Sequence, residues 1–184
     1  MTREELEHAI RAACDIAQDD EVYVFGSQAI VGQHPNAPAA LRMSVEVDIS
    51  PKNQVDRADD LNVIGEDSTF HQQHGFYVHG LPIKEAAILP RGWQSRTHSV
   101  SNANTRFTTG LCLEGHDLAA SKLAAFRPKD INFVRTLLAE KLVTPRKLIA
   151  RIRLLPVDLV EQNRLTRWIE LTMRALRASG DSRL

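Results

Sequence analysis

Two short stretches of this 184-residue chain hold the residue types best suited to chemistry. In Val45-Glu46-Val47-Asp48-Ile49 apolar residues alternate with acids, the period of a strand with one buried face, so Glu46 and Asp48 share the other face. At about 3.3 Å of rise per residue, their side chains leave the strand roughly 6.6 Å apart, close enough to bend toward common divalent ions. Hard oxygen ligands of this kind suit Mg2+ or Mn2+, which bridge phosphates and neutralise charge during transfer. An acidic strand face turned to solvent has the same pattern. The other stretch, Val22-Tyr23-Val24-Phe25-Gly26-Ser27, reads as a buried strand that turns at once into a helix begun by Gln28-Ala29-Ile30-Val31. Gly26 has no side chain to block an approaching phosphate, Ser27 adds a hydroxyl donor, and a helix N-terminus presents unpaired N–H groups. A Gly-Ser turn by itself often does no more than redirect the chain. The joint pattern of a Gly-Ser turn after one strand and an acid pair on the next points to nucleotide chemistry.

Gly26-Ser27 followed by the Glu46-x-Asp48 strand resembles the minimal nucleotidyltransferase core of the polymerase-β-like superfamily. Asp117-Leu118-Ala119-Ala120-Ser121-Lys122-Leu123-Ala124-Ala125-Phe126-Arg127-Pro128-Lys129-Asp130 looks like the Lys-Leu, Arg, Lys-Asp signature of nucleotidyltransferases related to the AbiEii-type toxins of bacterial toxin–antitoxin and phage-defence systems. The resemblance runs from about Val22 to Leu138. It departs from the common motif in placing Glu46 where an Asp is usual, and in the long interval Gln28 through Val45 between turn and acids. The resemblance implies an enzyme that transfers a nucleoside monophosphate from a nucleoside triphosphate and releases pyrophosphate. Gly26, Ser27, Lys122 and Arg127 would bind nucleotide, Glu46 and Asp48 would hold Mg2+ or Mn2+, and Asp130 would be the remaining catalytic acid, assisting the nucleophile. It further implies an RNA acceptor, first of all a tRNA 3′ end, and a cognate antitoxin as partner. A partner-protein hydroxyl receiving AMP, an aminoglycoside-like small molecule, and a catalytically silent nucleotide-binding module are the alternatives. Outside the resemblance, Lys122 reads as an ordinary surface lysine, and Asp130 as a carboxylate favoured in the first turn of its helix.

Composition bounds the remaining classes. With 43% hydrophobic residues the chain can bury one core, or a core with a small helical appendage. No run approaches the length of a membrane span and the start Met1-Thr2-Arg3-Glu4-Glu5 is unlike a secretory signal, so the expectation is a cytoplasmic protein with no membrane partner. Cys14 and Cys112 are too few and too distant for a disulfide framework or a zinc knuckle, and read as buried thiols. Net charge is zero but uneven: residues 1–121 carry 9 Lys+Arg against 17 Asp+Glu, and residues 122–184 carry 14 against 6. A basic C-terminal segment suits a polyanionic partner, with Arg146, Lys147, Arg151 and Arg153 as one candidate phosphate-contacting face, though it equally suits pairing with acids of the same chain.

The elements that must position these residues give an α/β (α+β) expectation: a small mixed sheet flanked by helices, residues 1–140 as core and 141–184 as a basic helical extension packed on it. Thr2 with Glu5 makes a capping box for an opening helix to about Gln18, with Leu6, Ile10, Ala13 and Ala17 as its apolar stripe. Residues 33–41 read as a loop. Asp56 to Leu61 reads as a short helix, and Phe76–His79, Ala86–Leu89, Arg96–Val100 and Arg106–Leu113 as strands. Helices are expected over Asp117–Ala125, Lys129–Glu140, from Thr144-Pro145 to Pro156, and from Asp158 to about Ala178 with Gly180 as the stop. His71, His74 and His79 form a poor zinc pattern and receive no metal role; Asp56, Asp59 and Asp60 read as a solvated face, and Trp93 and Trp168 as packed.

Overall fold

A computed structural model describes residues 1–181 as an α+β fold built on a mixed five-stranded sheet. The chain groups into two compact units. The first comprises Met1–Ala87 and Gln94–Glu114 and contains the whole sheet; the second comprises Ile88–Trp93 and the described residues from Gly115 onward. The helices within 115–140, expected with the core, fall with the C-terminal helices.

The first unit opens with α1, Arg3–Ala17, whose start is the expected capping box: Glu5 N–H donates to Thr2 Oγ1 while the Glu5 carboxylate accepts from Thr2 N–H. Leu6, Ile10, Ala13 and Ala17 are completely buried, so the helical stripe faces the sheet. Strand β1 spans Glu21–Phe25, the short helix α2 Ala29–Gln33, and β2 Glu46–Pro51. A 3-10 helix over Val55–Ile64 and helix α3, Thr69–His74, lead to β3, Tyr77–Gly80. Helix α4, Ile83–Ala86, precedes β4, His98–Val100, and β5, Thr109–Cys112. The strand order is β3-β2-β1-β5-β4, with β1/β2 and β4/β5 antiparallel and β1/β5 and β2/β3 parallel. Val22, Val24, Val47, Ile49 and Val78 are fully buried, leaving the alternate positions of β2 and β3 for the site.

The second unit is helical: α5 Gly115–Ala125, α6 Pro128–Ala139, α7 Pro145–Ile152 and α8 Leu159–Asp181. Prolines open α6 and α7 in their first turn, where the missing N–H costs nothing. Leu118, Leu123, Leu137, Leu148, Ile152, Leu165 and Ile169 make its core, and Trp168 packs edge-on to Phe126 at 6.5 Å between ring centroids. Trp93 is buried as expected.

Several expected elements differ. Ala86–Leu89 is no strand: Ala86 closes α4, and the run lies between Pro82 and Pro90, which confine it. The β5 strand begins at Thr109 because Arg106 and Phe107 take left-handed backbone at φ 51° and 63°, which no strand admits. Helix α7 ends at Ile152, short of Pro156, and α8 continues through Gly180 to Asp181. The expected Asp56–Leu61 helix is a longer 3-10 segment. Helix α3 is unanticipated although its signals are local, with Ser68 Oγ accepting from His71 N–H and Gly75 closing it at φ 73°. Among the described residues no helix is long and apolar enough to cross a membrane.

Candidate metal and phosphate site

The site grows from the pairing of β1 with β2. Phe25, the last residue of β1, is the register partner of Asp48 on antiparallel β2, so the chain leaves β1 at Gly26 directly beside the Asp48 side chain. Gly26 sits at φ +69°, and a Cβ there would lie 2.8 Å from Asp48 Cγ, closer still to its Oδ2. Only glycine allows this approach. Ser27 and Gln28 complete the turn, and the buried Gln28 donates from Nε2 to Ser44 O at 3.1 Å. Ser44 is in turn bonded to the strand start, its Oγ accepting from Glu46 N–H at 3.2 Å. The long interval from Gln28 to Val45 is thereby closed by a short polar chain that fixes turn and acid strand together.

Glu46 and Asp48 are half-buried on one face of β2, with Val47 and Ile49 buried on the other. Parallel β3 sets Tyr77 opposite Glu46 and His79 opposite Asp48. His79 Nδ1 lies 3.0 Å from Glu46 Oε1 and 3.4 Å from Asp48 Oδ1. One ligand atom from each of the three residues lies within 4.8 Å of the others. Donors on a common octahedral ion at about 2.1 Å stand roughly 3.0 Å apart when adjacent and 4.2 Å when opposite, so the set fits a single divalent ion with small side-chain adjustments. His79, assigned no metal role from its sequence spacing, is thus brought within reach of Glu46 and Asp48. Its sequence spacing to His71 and His74 carries no signal, since its partners lie on another strand.

The surroundings carry the field of an acidic site. A surface pocket of about 320 Å³ lies beside the triad, lined by Glu46, Asn62, Gly65, Glu66, Tyr77, Val78 and His79. The Tyr77 phenol is pushed above its ordinary value, first by burial and then by the charges of Glu46, Glu66, Asp48 and Asp67. Helix α2 is only five residues long, so its dipole adds little to the anion attraction expected there.

The other expected site residues form a separate group in the helical unit. Lys122 is buried, with Nζ 3.0 Å from Asp130 Oδ1 and 4.7 Å from the centroid of the Phe133 ring. The surface-lysine reading of Lys122 is therefore set aside. Arg127 Nε donates to Asp130 Oδ2 at 2.6 Å, while most of its side chain stays exposed. Burial alone would raise the Asp130 carboxyl, but the hydrogen bond from Arg127 and the charge of Lys122 hold it below the usual carboxylate range. A general base must reach the proton it takes. Asp130, named as the acid that would assist the nucleophile, has a fully buried side chain with both oxygens engaged by Lys122 and Arg127.

Arg151 also departs from expectation. Its Nε lies 3.0 Å from Oδ1 of the completely buried Asp117, which draws it inward, whereas Arg146, Lys147 and Arg153 are exposed. His116 Nε2 accepts from Thr144 N–H at 2.9 Å, fixing that nitrogen as the unprotonated one and tying the loop before α7 to α5.

Gly26, Ser27, Glu46 and Asp48 are thus gathered in the sheet unit, and Lys122, Arg127 and Asp130 in the helical unit. No family model, no curated protein and no solved structure matches this chain.

Proposed function

We propose that the chain is a metal-dependent nucleotidyltransferase that moves a nucleoside monophosphate from a nucleoside triphosphate to an acceptor and releases pyrophosphate. The observation that carries this reading is the contact of the bare Gly26 backbone with the Asp48 carboxylate, with Glu46 and His79 in reach of the same ion. Glu46 and Asp48 would hold Mg2+ or Mn2+, which when bound supplies charge neutralisation at the phosphates. The Gly26-Ser27 turn admits a phosphate against the strand end, with the Ser27 hydroxyl as donor. In the reaction an acceptor hydroxyl oxygen bonds to the α-phosphorus as the bond to the bridging oxygen breaks. Catalysis of this kind needs chiefly positioning and charge compensation. Lys122 and Arg127, which the resemblance assigns to nucleotide binding, are held by Asp130 within the helical unit.

The acceptor favoured here is RNA, a tRNA 3′ end first, as in a toxin of a bacterial toxin–antitoxin or phage-defence system with a cognate antitoxin. Exposed Arg146, Lys147 and Arg153 in the basic C-terminal segment support a polyanionic partner. A second reading, a nucleotide-binding module without turnover, draws support from the engagement of Lys122 with Asp130. Transfer of AMP to a partner protein and transfer to an aminoglycoside-like small molecule are the remaining alternatives.

Incubation with total tRNA, Mg2+ or Mn2+ and each α-labelled nucleoside triphosphate tests these readings. The expected result is label on RNA, reduced at least about a hundredfold by Asp48→Asn. Label on protein selects AMP addition, and triphosphate binding with no transfer to either under both ions overturns the RNA and protein acceptors and selects a small-molecule acceptor or the module without turnover.

A further inference from the structure

The donor set of the triad differs from a purely acidic one in a way that bears on which ion it takes. We propose that His79 is a third ligand of the divalent ion and makes the site select Mn2+ over Mg2+, an inference that rests on the metal-site reading of Glu46 and Asp48 above.

The strand register puts His79 opposite Asp48 on the neighbouring parallel strand, where same-face side chains leave the sheet about 4.8 Å apart. Its Nδ1 faces the two carboxylates at 3.0 and 3.4 Å, and the half-exposed ring leaves room for the small turn that a common ion requires. Mg2+ demands near-ideal octahedral oxygen geometry and gives up water reluctantly. First-row transition ions accept imidazole nitrogen, and Mn2+ also keeps its affinity for carboxylate. Two carboxylate oxygens and one imidazole nitrogen therefore bind Mn2+ more strongly than Mg2+, whereas three carboxylates would give a much weaker bias. The competing account of the same geometry is electrostatic: a protonated His79 would act as a counter-charge to Glu46 and Asp48 and compete with any ion. The two accounts predict opposite effects of removing the ring.

Mn2+ binding to the full chain is measured by electron paramagnetic resonance, with Mg2+ as competitor, for the native protein, His79→Ala and His79→Asp. Because His79 is an exposed strand residue, both variants are expected to fold, which circular dichroism checks. The expected result is nitrogen hyperfine coupling to the bound Mn2+ that vanishes in His79→Ala. Displacement of Mn2+ in the native protein should need at least about tenfold more Mg2+, a preference that His79→Asp largely abolishes. Absence of nitrogen coupling, equal affinity for the two ions, or tighter Mn2+ binding in His79→Ala overturns the proposal while leaving an acidic metal site standing. Failure of the native protein to bind either ion removes the metal-site reading and this inference together.

Discussion

Gly26 and Asp48 stand so close that the first has no room for a side chain: a Cβ on Gly26 would meet the Asp48 carboxylate, 2.8 Å from Cγ. The contact follows from the Phe25–Asp48 register of β1 and β2. It brings together two features separated by a long loop.

Gly26→Ala combines that collision with a left-handed backbone at φ +69°. It is expected to destabilise by about 2 kcal/mol and to displace the Asp48 carboxylate. Urea unfolding measures the first effect; loss of Mn2+ affinity in the folded variant measures the second. Ser27→Ala, next in the chain, should leave stability nearly unchanged.

Asp130 links stability to pH. Its folded carboxyl is held below the ordinary range, against burial, by Arg127 and Lys122. A depressed folded value means that the stabilisation is fully present above the ordinary aspartate range near pH 4 and is lost as pH falls through the lower folded value. Asp130→Asn leaves buried Lys122 without its carboxylate and is expected to cost about 3 kcal/mol at pH 7. The gap between native and variant urea midpoints should narrow steadily as pH is lowered below about 4.

The arginines of α7 separate by role. Arg151→Ala deprives the buried Asp117 of an ion partner and should lower stability by about 2 kcal/mol or more. Arg146→Ala and Lys147→Ala, at exposed positions, should change stability by less than about 0.5 kcal/mol. If RNA is the acceptor, each of the latter reduces the salt dependence of RNA binding by about one ion.

Both thiols are expected to be inert in the folded protein. Burial pushes Cys112 up to about 12. Cys14 is raised to about 11, chiefly by burial, with Asp19, Asp15 and Asp20 adding to the shift and a hydrogen bond with Thr108 opposing it. A chromogenic disulfide reagent at pH 8 should label neither thiol until the chain is unfolded, and then both.

Among the elements, those specified by near neighbours are the ones legible in the chain. The capping box of Thr2 and Glu5, the apolar stripe of α1, the alternation around Glu46 and Asp48, and the prolines that open α6 and α7 each depend on contacts within one or two turns or on strand period. The same locality marks α3, where Ser68 and Gly75 cap a helix that lacks an apolar stripe and for that reason passes unnoticed. Apolar runs mislead where local backbone forbids a strand, as at Arg106 and Phe107.

What the amino-acid order by itself determined is the chemical inventory on β1 and β2: a bare turn and two acids on one strand face. Tertiary structure alone decided that His79 joins them, because that depends on the parallel register of β3 with β2 across a connection of 3-10 and α-helix. It also decided that Lys122, Arg127 and Asp130 bind one another, since burial sets the partners of a charge more strongly than sequence spacing does.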